Sequence, residues 1–196
     1  MPDVALAGRI DPRYDTVDYR SSALRAPQRA LVPLAHRGTE RHGPVFGHKG
    51  VAASDADLTL MGAGEPLGER IIVTGRLLDG AGRPVAGQLM ELWQANSAGR
   101  YAHEVDQHPA PLDPNFPGAG RCLTGADGTW RFVTVKPGAY PWRNHTNAWR
   151  PAHLHFSVFG RAFTERLVTQ MYFPGDPLFA HDPIFNSVTD AVPASA

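Results

Sequence analysis

The stretch "ERIIVTGRLLDGAGRPVAGQLMELWQAN", residues 69–96, decides the fold class. Its two apolar halves read as strands over 70–78 and 87–95, on either side of "DGAG", a tetrapeptide whose Asp and glycines suit a tight turn. Downstream the theme repeats. "RCLTGADGTWRFVTVKPGAYPW" (121–142) reads as a short strand, a "GADG" turn and a strand over 129–135, stopped by Pro137 and Gly138. "HLHFSVFG" and "RLVTQMYF" then make a third hairpin, with strands 153–159 and 166–172. Six strands at this spacing predict an all-β protein: a β-sandwich of mixed-topology short strands with long functional loops and an irregular N-terminal arm.

Composition agrees. Gly (20) and Pro (18) make about a fifth of the chain against a usual ~12%, and they punctuate it without forming a repeat. A chain of 196 residues fits one domain with a real core, since this size buries roughly 70% of the unfolded surface. Nineteen Lys and Arg balance nineteen Asp and Glu, so nothing implies nucleic-acid or membrane-surface electrostatics. A single cysteine, Cys122, excludes an internal disulfide and a Cys-based zinc site, and suits a reducing cytoplasm. The start "MPDVALAGRIDPRYD" lacks a cationic segment followed by an apolar run, and no stretch approaches the ~20 apolar residues that span a bilayer. The expectation is a soluble cytoplasmic protein. Residues 1–60 show no sustained period, and Pro27 and Pro33 interrupt the one segment with helical promise. They read as an arm lying across another surface, with the domain proper over 61–196.

Two long stretches, 96–120 and 137–152, carry no strand pattern, and loops of this length in compact domains are usually functional. They lead to "RPAHLHFSVFG" (150–160), where alternation puts His153, His155, Ser157 and Phe159 on one face and Leu154, Phe156 and Val158 on the other. At a rise of roughly 3.3 Å per residue the two imidazoles start about 7 Å apart and can lean toward one metal ion. Two histidines leave a metal short of ligands. A carboxylate would complete a facial triad, from Glu104, Asp106 or Glu165; a phenolate would suit a ferric ion, from Tyr101 or Tyr140. A hydrogen-bonded histidine pair beside ordinary loop tyrosines is the plain alternative.

The blocks "ELWQANSAGRY", "PLDPNFPGAGRCLT", "KPGAYPWRNHTNAWRPAHLHFSVFG" and "LVTQMYFPGDPL" resemble consecutive segments of the intradiol ring-cleaving dioxygenases, from about Tyr19 to Ile184. The resemblance implies one Fe(III) per chain, held by Tyr101, Tyr140, His153 and His155, with Tyr140 and His153 axial. It implies that Arg150 stabilises charge on the substrate ring, that Gln170 holds Arg150, that Tyr140 is displaced by substrate, and that Tyr19, Trp142 and Ile184 line the substrate pocket. Trp93 falls on a wall near the iron, whereas His103, His108 and His145 have no ligand role. The implied reaction is cleavage of protocatechuate with O2 to 3-carboxy-cis,cis-muconate, in a hetero-oligomer with an alpha chain that lacks the iron ligands. Catechol or hydroxyquinol as substrate, and a non-catalytic scaffold of the same fold, are the alternatives. The chain ends "HDPIFNSVTDAVPASA", where the resemblance implies a further helical segment and a final strand, so an open sheet edge and lowered stability are expected.

Overall fold

A computed structural model describes residues 29, 50–143, 148–160 and 166–187. Of the expected N-terminal arm, therefore, only Arg29 and residues 50–60 are described, and Tyr19 lies outside the described residues. The described residues fall into two bodies. Of the residues described, 50–140, 152–160 and 166–173 belong to the larger; 29, 141–143, 148–151 and 174–187 belong to the smaller.

The larger body is a β-sandwich. Strands β1 (Arg70–Arg76) and β4 (Thr129–Val135) pair antiparallel as one sheet. Strands β2 (Leu89–Trp93), β3 (Ala119–Leu123), β7 (His153–Phe159) and β8 (Arg166–Tyr172) form the other, in the order β3-β2-β7-β8. Their facing sides close over Val73, Met90, Leu92, Cys122, Phe132, Val135, Leu154 and Phe156. Trp130 and Phe132 of β4 meet Phe156 of β7 across the gap, with ring centroids 5.2 and 6.2 Å away. Leu58, in the 3-10 turn Leu58–Leu60, is fully buried in the same core. Its methyl group fills the place where a Cβ on Gly120 would stand, 2.5 Å away.

Strands 129–135, 153–159 and 166–172 form over the residues that the alternation predicts, and β7–β8 is the predicted hairpin. The first two hairpins are corrected: β1 pairs with β4, and β2 pairs with β3 and β7. The "DGAG" turn does form, with Asp79 N–H donating to Arg83 O (2.8 Å) and Gly82 N–H to Asp79 O (2.9 Å). Beyond it only Leu78 and Pro84 bridge. Val85 N–H still reaches Leu77 O (3.0 Å), but Leu77 N–H is taken by Gly128 O (2.8 Å), so the ladder goes no further. The strand-free reading of 137–152 is corrected too, by β5 (Tyr140–Trp142) and β6 (Ala148–Arg150). Three residues each, with Pro141 inside β5, they are too short to show a period.

In the smaller body β6 carries a buried Arg150. Two 3-10 turns follow there, Pro177–His181 and Phe185–Ser187, the first started by Asp176, whose side chain accepts from Leu178 N–H. Among the described residues no helix is long and apolar enough to cross a membrane.

Candidate metal centre

The four-stranded sheet has two unlike faces. Met90, Cys122, Leu154 and Phe156 point into the core, which sends the alternate residues of β2, β7 and β8 outward. Cross-strand register then sets Trp93 opposite His155, Gln170 opposite His155 on the other side, and Tyr172 opposite His153. The Trp93 ring lies flat on His155, with centroids 4.9 Å apart and planes 9° from parallel. Tyr172 leans on His153 at 5.6 Å and donates its hydroxyl to Gln170 Oε1 at 2.8 Å. The two imidazoles are thus held by a paired strand and by an aromatic neighbour each, and His153 is buried.

The two tyrosines come from loops, and glycine brings those loops together. Gly99 has φ +79°, and a Cβ there would stand 2.2 Å from Ala139 O; one on Gly138 would stand 2.5 Å from Ser97 O. Only backbone without a side chain approaches this closely. Asn96 organises the join. Its Oδ1 accepts from the N–H of Ala98 and of Arg100 (2.9 Å each), and its carbonyl accepts from Gly138 N–H at 2.9 Å. Gln94, fully buried, ties the ends of β2 and β4: Nε2 donates to Val135 O (2.8 Å) while Oε1 accepts from Thr134 Oγ1 (2.7 Å). Asp106 accepts from Tyr101 N–H through Oδ2 at 2.8 Å. No local pattern marks Gln94 or Asn96 for these roles, and Asp106, a candidate ligand by its residue type, serves the backbone here.

Four donor atoms converge as a result. Tyr101 Oη is 3.1 Å from His155 Nε2, His155 Nε2 is 3.2 Å from His153 Nε2, and His153 Nε2 is 3.4 Å from Tyr140 Oη. The tyrosine rings meet edge to face at 5.5 Å. Donors bound to one ion at roughly 2.1 Å stand about 3.0 Å apart at a right angle and about 3.4 Å apart at a tetrahedral angle, so the set fits a metal. The carboxylate alternative finds no support here. Asp106 is engaged by the backbone of Tyr101 and His108, Glu104 is exposed, and Glu165 lies outside the described residues. Among the described residues no three His, Cys, Asp or Glu side chains gather as a metal site.

In the smaller body the guanidinium of Arg150 is buried (3% exposed) against the fully buried Asp182, Nε to Oδ2 3.1 Å. Trp142 lies beside it, with the ring centre 5.8 Å from Cζ. Asp182 escaped the sequence reading altogether; its one signal is its place in "HDPIF", two residues before Ile184. Ile184 is partly exposed and donates its N–H to Asp182 Oδ1 at 2.9 Å. His103 is exposed and accepts from Val105 N–H, whereas His145 lies outside the described residues.

A family model described as a dioxygenase matches residues 41–195, and the chain belongs to that family, whose members are generally non-haem iron enzymes. More narrowly, a model described as the protocatechuate 3,4-dioxygenase beta subunit N terminal matches residues 9–37. The protocatechuate 3,4-dioxygenase beta chain of Burkholderia cepacia is 60% identical over 182 residues, 92% of this chain and 77% of that one. The chain therefore stands among the protocatechuate 3,4-dioxygenase beta chains. The protocatechuate 3,4-dioxygenase alpha chain of Pseudomonas putida is 35% identical over 54% of this chain and 50% of its own length. The crystal structure of 3-chlorocatechol 1,2-dioxygenase from Rhodococcus opacus 1CP superposes with a TM-score of 0.54 at 27% identity, covering 72% of this chain and 57% of that one. This chain thus spans less than two thirds of the last two proteins.

Proposed function

We propose that this chain is the iron-bearing beta chain of an enzyme that opens the ring of protocatechuate between its two hydroxylated carbons. Both atoms of O2 enter the product, 3-carboxy-cis,cis-muconate. The observation that carries the reading is the convergence of two phenol oxygens and two imidazole nitrogens at spacings of 3.1–3.4 Å. Two phenolates and two neutral imidazoles bring a donor charge of minus two, which favours a trivalent over a divalent ion. A ferric ion held by Tyr101, Tyr140, His153 and His155 would supply the Lewis acidity that favours the deprotonated form of the diol. The protein does the rest. Tyr140 Oη accepts a substrate proton, Tyr101 and the two histidines remain as holders, and Trp93 shields the His155 ring from water. The guanidinium of Arg150, always charged, stabilises negative charge growing on the ring carbon. A related alpha chain is the proposed partner, a reading supported by the similarity to one.

Metal analysis and visible spectroscopy test this together. The wild-type chain, purified with iron supplied, is expected to hold one iron and to show a phenolate-to-iron absorption band. Tyr101→Phe and Tyr140→Phe are each expected to lose about tenfold or more in iron affinity and to change the band. Retention of iron, colour and ring opening by both variants would refute the proposal.

A further inference from the structure

We propose that Asp182 is a positioning residue for ring opening: it fixes the guanidinium of Arg150 in one orientation and so decides where that positive charge acts. The inference deepens the reading of Arg150 given above and rests on it.

Arg150 closes β6 with its side chain 3% exposed, and Asp182 is 0% exposed. An arginine keeps its charge when buried, so its orientation follows from the anion that compensates it. That anion sits at Nε, 3.1 Å away, on one edge of the guanidinium plane. The Trp142 ring stands 5.8 Å from Cζ. Two neighbours leave the side chain little freedom to swing.

Asp182 is itself held more firmly than a surface carboxylate. Its N–H donates to Phe179 O (3.2 Å), its Oδ1 accepts from Ile184 N–H (2.9 Å), and its carbonyl accepts from Asn186 N–H (3.1 Å) and Asn186 Nδ2 (2.9 Å). Phe179 and Phe185 stack at 4.3 Å across the same segment. The carboxylate thus has one oxygen fixed by backbone and the other given to Arg150. Asp182 also changes the electrostatics. Next to it Arg150 acts as an oriented dipole, strong at short range on the side away from Oδ2 and weak at a distance. A group of this kind favours charge that develops at one place in the transition state more than charge already spread over the bound diol.

The test uses the iron-loaded chain, with its alpha partner if the assembly needs one, and the variants Asp182→Asn, Asp182→Glu, Arg150→Gln and Arg150→Gln/Asp182→Asn. Iron content and the visible band are expected to stay as in the wild type for Asp182→Glu, with kcat down about 10- to 100-fold and KM changed by less than about threefold. Asp182→Asn is expected to do the same. The double variant is expected to turn over no more slowly than Arg150→Gln, because Asp182 acts through Arg150 alone. Wild-type kcat in Asp182→Glu would overturn the proposal, and so would losses in the double variant that multiply. Should Asp182→Asn fail to fold, Asp182→Glu decides. A wild type without iron, colour or ring opening would instead sink the functional reading itself.

Discussion

The join between the two tyrosine loops is the most exposed part of the design, and Gly99→Ala probes it. The added Cβ would stand 2.2 Å from Ala139 O and 3.1 Å from Ala139 C, where real Cβ atoms stay beyond 3.0 Å. About 1 Å of relief is needed, and the obstacle is backbone. Gly99 also has φ +79°, which costs an L-residue about 1–2 kcal/mol. Moving packed backbone adds about 1–3 kcal/mol, so the sum is roughly 2–5 kcal/mol, a large part of a typical net stability of ~5–15 kcal/mol. Two other glycines separate the contributions. Gly82 has φ +76° with nothing within 4 Å of a Cβ, and Gly80 has open space without the positive φ. In urea unfolding of the metal-free chain, Gly80→Ala is expected to be near neutral and Gly82→Ala to cost about 1 kcal/mol, with Gly99→Ala the most costly. Because Ala139 carries Tyr140 with it, Gly99→Ala is also expected to weaken iron binding while Gly82→Ala does not. A Gly99→Ala variant no less stable than Gly82→Ala would refute the reasoning.

Two further outcomes follow from the packing. Gln94→Ala strands Val135 O and the Thr134 hydroxyl in the interior and is expected to cost about 2–4 kcal/mol in urea unfolding; a cost below ~0.5 kcal/mol would count against the role given to Gln94. Burial pushes the Cys122 thiol from 9.0 up to about 11, so the fold favours its neutral form. The stability this contributes is complete below pH 9 and lost as pH rises toward 11, with a slope of at most about 1.4 kcal/mol per pH unit. Urea midpoints measured across that range should fall more steeply for the wild type than for Cys122→Ala, and equal slopes would exclude the thiol as a source.

What could be read in advance divides along a physical line. β7 was legible to the residue because alternation is local: five apolar and polar neighbours suffice to say which way His153 and His155 face. The pairing of β1 with β4 was not, since Arg70 and Val135 are far apart in sequence and no local pattern records a partner. The same holds at the site. Tyr101 and Tyr140 stand as candidates beside three carboxylates, and only the resemblance selects them, since a tyrosine in a loop carries no period. The side chains that hold those loops escaped notice because their roles exist only once distant backbones meet, Gly99 against Ala139 and Asn96 against Gly138. Arg150 was picked out three residues before His153, yet its anion stands in a separate segment.

That division bears on how the centre would fail. The histidines ride on a strand paired on both sides, with Leu154 and Phe156 anchored in the core between them and beyond. Displacing them means breaking the sheet. The tyrosine oxygens depend instead on a backbone approach and a few hydrogen bonds, contacts that can loosen while the sandwich stays folded. Substitutions in the core should therefore lower stability and metal binding together. Those at Gly99, Gly138 and Asn96 should lower metal binding by more than their cost in stability accounts for. On the proposed reading the phenol half of the donor set sets the charge, and with it the preference for a trivalent ion; a chain damaged there would keep two imidazoles at 3.2 Å and is expected to turn to divalent metals. Competition between ferric iron and zinc, measured on Asn96→Ala beside a core variant of equal stability, would separate the two modes, and equal selectivity in both would show that the loops and the sheet hold the donors as one unit.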